Sequence, residues 1–129
     1  MHADDFRRLA LDFHDAVEAA HMGHPDFRAN GRIFATLDAR DEYGVVMLAP
    51  AEQKAMMRES AAFEPAAGAW GRQGCTKIRL AAADRATVRV ALLLAWQSAM
   101  ARPRRKPAST SAKAKRTRAA RRPTKNPRT

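Results

Sequence analysis

The chain has 129 residues, with 24 lysines and arginines against 13 acids and a formal charge of +11; its single cysteine, Cys75, excludes an intramolecular disulfide and a cysteine-rich zinc centre. Twelve of the bases (Arg102, Arg104, Arg105, Lys106, Lys113, Lys115, Arg116, Arg118, Arg121, Arg122, Lys125 and Arg128) and none of the acids lie in the last 28 residues, which leaves the first 101 at −1. Every Ile, Leu, Val, Met, Phe and Trp lies in those first 101, so residues 1–101 read as one domain with a modest core, and residues 102–129 as a disordered tail without the apolar surface to offset the entropy of ordering.

Residues 4–21 predict a helix, because Phe6, Leu9, Phe13, Val17 and Ala20 recur at three- and four-residue spacing. Asp4 and Asp5 suit its start, and Gly23 and Pro25 end it. Phe27 and Arg28 then lead into Asn30-Gly31, a strong hairpin signal. Arg32 to Leu37 alternates, with Ile33, Ala35 and Leu37 on one face and Arg32, Phe34 and Thr36 on the other. A polar turn over 38–41 precedes a second alternating run over 42–48, in which Tyr43, Val45 and Met47 oppose Val46 and Leu48. Gly44 reads as a bulge.

Pro50 opens a helix over residues 50–60. Glu52 sits where it completes a capping box, but Ala49 has no hydroxyl for the other half. Residues 63–74 read as a loop, with Pro65, Gly68, Gly71 and Gly74 around Trp70. Cys75 to Leu80 alternates again, Thr76, Ile78 and Leu80 against Cys75, Lys77 and Arg79. Asp84 is placed to cap a last helix over 85–100, whose stripe is Val88, Leu92, Ala95, Trp96 and Ala99. The order α, β, β, β, α, β, α with short connections predicts an α+β domain, an antiparallel sheet with helices on one face.

Met-His-Ala-Asp-Asp-Phe puts acids where a signal peptide has bases, and the longest apolar run, Val90 to Trp96, is far too short for a membrane span. A soluble cytoplasmic protein with no membrane partner is expected, nucleoid association included.

Four stretches carry a family resemblance. They are His24-Pro-Asp-Phe-Arg28, Gly31-Arg-Ile-Phe-Ala-Thr-Leu37, Ala49-Pro-Ala-Glu-Gln53 and Gly68-Ala-Trp-Gly-Arg72, the last followed by Thr76. In this order and spacing, residues 6–98 resemble the MmcQ/YjbR family of small bacterial proteins. The resemblance implies a compact α+β fold similar to the frataxin-like CyaY proteins, and the DNA-binding label that members commonly carry. The chain departs from the family at Ala49, where serine is frequent, at Cys75, where an aromatic is frequent, and at Arg32, where lysine is frequent.

Candidate chemistry is sparse. His14 and His21 share a face of the predicted helix and His24 follows, but polar histidines at a helix end explain them better than a metal. Cys75 is a nucleophile only if Lys77 and Arg79 lower its pKa. No catalytic motif, metal set or cofactor loop is found, so no enzyme activity and no cofactor is expected. His24, Phe27, Trp70 and Arg72 form one possible small-molecule pocket.

Nucleic acid has two possible footprints. On the body, Arg28, Arg32, Lys77 and Arg79 lie on or beside strands, with Phe34 on the face of Arg32 for stacking. The tail is the stronger signal: twelve cations without counter-anions attract polyphosphate and release its counterions, and Pro103, Pro107, Pro123 and Pro127 keep the segment extended. Pro103-Arg-Arg-Lys-Pro107 lacks the central glycine of an AT-hook, so non-specific backbone contact, with DNA ahead of RNA, is the expectation. The alternative is a small-molecule-binding or enzymatic body that the tail only localises.

Overall fold

A computed structural model describes residues 1–38, 40 and 42–103. The disorder expected of the tail and its basic residues from Arg104 to Arg128 lie outside the described residues, as do two positions of the polar turn at 38–41.

Among the described residues, four α-helices and six strands follow in the order α1 (Ala3–Leu11), β1 (Val17–His21), β2 (His24–Ala29), β3 (Arg32–Leu37), β4 (Tyr43–Met47), α2 (Pro50–Glu59), β5 (Phe63–Pro65), α3 (Gly68–Arg72), β6 (Cys75–Arg79) and α4 (Arg85–Ala101), with a 3-10 turn at Leu80–Ala82 before α4. The strands form one antiparallel sheet in the order β1-β2-β3-β4-β6-β5. Helix α4 lies across β2, β3 and β4, with α1 and α2 beside it. The domain is α+β with its helices on one face of the sheet, as the element order predicts.

The core lies between that face and the helices. Phe6, Phe27, Phe34, Leu37, Val46, Ile78, Val88 and Leu92 are all fully buried there, each contributing roughly 1.5–3 kcal/mol of transfer free energy. Phe6 and Phe27 meet edge to face, with ring centroids 6.0 Å apart. Asp84 caps α4 by accepting from the Thr87 N–H at 3.0 Å. At α2 only the glutamate half of the capping box forms, Glu52 accepting from the Ala49 N–H at 2.9 Å.

The helix expected over 4–21 stops at Leu11. Val17 to His21 is instead an edge strand, joined to β2 by Met22-Gly23, whose φ angles of 51° and 80° make a two-residue type I′ turn. Helical spacing and helix-forming residues lose here to tertiary pairing. Trp96 of α4 holds the connection, stacking on Phe13 and donating to the His14 carbonyl at 2.7 Å.

Strand β3 does not alternate through its length. Phe27 pairs with Ala35 but Arg28 pairs with Ile33, so Phe34 is an extra residue in β3. Phe34 and Ala35 are both fully buried in consequence, and Phe34 is not on an exposed face. Gly44 marks no bulge, since β4 keeps regular register with β3 and β6. It is glycine because a Cβ there would stand 2.5 Å from the Phe6 ring. The expected loop at 63–74 contains β5 and the short helix α3.

Candidate nucleic-acid interface

The face of the sheet turned away from the helices carries the body's candidate residues. Register places Asp26, Thr36, Val45, Lys77 and Glu64 in one row across five strands. Arg79 pairs with Tyr43 in the next row. The Lys77 ammonium sits 4.3 Å above the Tyr43 ring, a cation–π contact. Arg79 reaches Glu64 only at 4.0 Å and stays exposed.

Of the four bases expected on this face, Arg28, Lys77 and Arg79 share it. Arg32 does not. It pairs with Ala29, which is buried on the helix side, and its Nη2 donates to the Pro103 carbonyl at 3.2 Å beyond the end of α4. With Phe34 in the core, the aromatic interleaved with bases is Tyr43.

Arg28 is engaged within the protein. Its Nε donates to Asp26 Oδ1 at 2.7 Å and its Nη2 to Oδ2 at 3.0 Å. His21 Nδ1 lies 2.7 Å from the same Oδ2. The Asp26 side chain is fully buried by these partners, whereas Arg28 and His21 remain partly exposed. Burial alone would raise the Asp26 pKa; hydrogen bonds from Arg28 and His21 outweigh it and hold the carboxyl below its ordinary value. The bond from Asp26 in turn raises the Arg28 guanidinium against its own desolvation.

His21 and His24 flank the Met22-Gly23 turn, their rings 6.4 Å apart. His14 lies in the connection after α1, so His14 and His21 share no helix face. Among the described residues, no three His, Cys, Asp or Glu are grouped to hold a metal.

Cys75 is half-buried, and that burial pushes its thiol up rather than down. Lys77 lies two residues along the same strand without reversing the shift, which disfavours the thiolate. The four possible pocket residues are not brought together. Phe27 is fully buried in the core. His24 is at the β1–β2 hairpin, and Trp70 and Arg72 are on α3, against β6. A broad open concavity takes in Trp70 but none of the other three.

The basic tail leaves the body at a fixed place. Asn30, with φ of 56°, and Gly31, with φ of 73°, make the predicted turn between β2 and β3. The Asn30 side chain is buried, and its Nδ2 donates to the carbonyls of Ala99 at 3.0 Å and Arg102 at 2.8 Å. Its own N–H donates to Asp15 Oδ2 at 2.7 Å. Three elements thus meet at the last turn of α4, and Arg102 starts the tail beside Arg32.

The sequence reading passed over the Asp26 cluster, Tyr43 and Gln53. A signal exists for the first: Asp26 and Arg28 are two apart, the spacing that puts both on one face of a strand. No comparable signal marks the other two, whose partners lie far away in sequence. Comparison with protein-family models, with curated proteins and with solved structures finds no match to this chain.

Proposed function

We propose that this chain is a non-enzymatic, nucleic-acid-associated protein of the cytoplasm, related to MmcQ/YjbR, whose basic segment from Arg102 to Arg128 binds the phosphate backbone of DNA without sequence preference. The observation that carries the reading is the charge partition, twelve bases and no acids after Ala101 on a body of −1. A segment of that composition neutralises phosphates and releases their counterions. The fold supports a defined attachment, because Asn30 and Arg32 hold the Arg102 and Pro103 carbonyls. Lys77 and Arg79 make the body a second, weaker contact, gaining from the high local concentration that tethering provides. The family relationship rests on the four ordered stretches, which fall in β2, β3, the start of α2, and α3 with β6.

The alternative of a small-molecule or enzymatic body called for a pocket holding Trp70 with His24, and the concavity at Trp70 leaves His24 out. Salt-dependent binding to mixed-sequence duplex DNA tests the proposal. Full-length protein is expected to show a steep negative slope of log affinity against log salt, about 0.9 per phosphate engaged. Removal of residues 102–129 is expected to abolish most of the affinity at low salt. Equal binding by the truncated protein sinks the proposal.

A further inference from the structure

Trp70 is 69% exposed, the most solvent-accessible large aromatic among the described residues. Tryptophan is usually well buried, because its indole is the largest apolar payload a chain carries. The other tryptophan, Trp96, follows that rule, half-buried on Phe13.

The exposure of Trp70 does not come from a loose segment. Gln53 of α2 is buried, and its Nε2 donates to the carbonyls of Gly71 at 2.9 Å and Cys75 at 3.1 Å. Gly71 approaches Ala66 so closely that a Cβ would fall 1.8 Å from the Ala66 carbonyl oxygen. The Ala66 N–H donates to the Cys75 carbonyl at 2.9 Å. A buried polar side chain and a tightly packed glycine therefore fix α3 to β6 and α2, while the largest side chain of α3 faces water. Rigid presentation of an exposed aromatic is what a binding surface requires.

The charge of the concavity that Trp70 lines indicates the partner. It is broad and open, running from α3 across the sheet to the end of α4; its cations are Arg40, Lys77, Arg102 and Arg32, the last already bonded to the Pro103 carbonyl, against two acids, Asp38 and Glu42. Three of these cations, Arg32, Arg40 and Lys77, belong to a body whose formal charge is −1; the fourth, Arg102, belongs to the tail. Arg102 is both the first base of the tail and part of this lining, so the tail's positive charge begins at the concavity.

We infer that Trp70 is a stacking platform for an unpaired nucleobase, and that the protein prefers single-stranded to double-stranded nucleic acid. The inference rests on the nucleic-acid reading above. Duplex bases already stack on one another and present no free π-face, whereas an unpaired base presents one of any identity. The preference is thus for strand form and not for sequence.

The test compares full-length protein with Trp70→Ala and Trp70→Phe, on a short oligothymidylate and on a duplex of equal length. Trp70→Ala is expected to weaken single-strand binding about 5- to 100-fold, with duplex affinity and salt slope unchanged. Trp70→Phe retains part of the single-strand affinity. Tryptophan emission of the wild type is quenched by oligothymidylate, and that quenching disappears in Trp70→Ala. Unchanged thermal midpoints in both variants show that the fold is intact. The inference is overturned if Trp70→Ala binds single strands like the wild type, if both affinities drop equally, or if the substitution instead dissolves an oligomer. Failure of the parent reading has its own signature: deletion of residues 102–129 then leaves duplex affinity intact, whatever Trp70 does.

Discussion

The Asp26 carboxylate accepts two hydrogen bonds from the Arg28 guanidinium, two residues along the same strand, and is itself fully buried. His21, across the β1–β2 hairpin, supplies the third close contact. A buried carboxylate is tolerated only when every lone-pair direction that lost water finds a donor. Here the donors come from one edge hairpin, so the ion cluster also ties β1 to the sheet.

Acid sensitivity follows from that cluster. The folded chain holds the Asp26 carboxyl below its ordinary value of 3.8, so folding favours the ionised form. Its stabilising contribution is complete above the unfolded-chain pKa and is lost as pH falls through the lower, folded one. Asp26→Asn removes the charge and leaves Arg28 one good acceptor, with an expected cost of about 2–4 kcal/mol at neutral pH. Urea unfolding measured from neutral to strongly acid pH checks both points. The variant is expected to lose part of the acid-limb slope, and an unchanged slope would remove Asp26 from the account.

Asn30 serves the turn and the end of α4 at once, and two substitutions separate these roles. Asn30→Gly keeps a residue at home at φ of 56° but deletes both bonds to the Ala99 and Arg102 carbonyls. It is expected to cost about 1–3 kcal/mol. Asn30→Ala adds the left-handed penalty of about 1 kcal/mol. Denaturant midpoints for the pair give the order wild type, Gly, Ala. Hydrogen exchange at the last turn of α4 is expected to rise in both variants. Equal stability of Asn30→Gly and wild type would show that the clasp contributes nothing.

Gly44 leaves room for the Phe6 ring. In Gly44→Ala the new methyl meets that ring well inside contact distance, and overpacking of a filled core costs about 1–3 kcal/mol. Phe6→Leu removes the obstructing ring edge but loses core burial on its own account. The double variant is expected to be less destabilised than the two single losses added, which a double-mutant cycle measures. Strict additivity would place the strain of Gly44→Ala somewhere other than Phe6.

Elements whose signals are local were legible. Asn30-Gly31 demanded a hairpin, Pro50 and Glu52 opened a helix, Asp84 capped another, and Tyr43 to Leu48 alternated as a half-buried strand must. Strand β1 was not legible, because Val17, Ala20 and the apolar residues before them fit a helical stripe equally well. Only pairing with β2 through Met22-Gly23 decides between the two. Phe34 was misplaced for a related reason: one extra residue in β3 reverses the facing of the residues before it, and no local propensity marks where register steps. The possible pocket did not form because Phe27 turns into the core, while His24 sits at the β1–β2 hairpin and Trp70 and Arg72 on α3 beside β6, three strands from β2.

Composition alone settled that the chain divides into an apolar, nearly neutral part and a basic part, since charge and hydrophobicity are properties of residues and not of their arrangement. Its short-range periodicities settled an α+β domain with an antiparallel sheet. Tertiary structure decided which candidates meet: Arg28 with Asp26 and His21, Lys77 with Tyr43, Asn30 with the end of α4, and Gln53 with the helix that presents Trp70. Most of those contacts join residues far apart in the chain. Their formation depends on how strands register and helices pack, which no short window of sequence encodes.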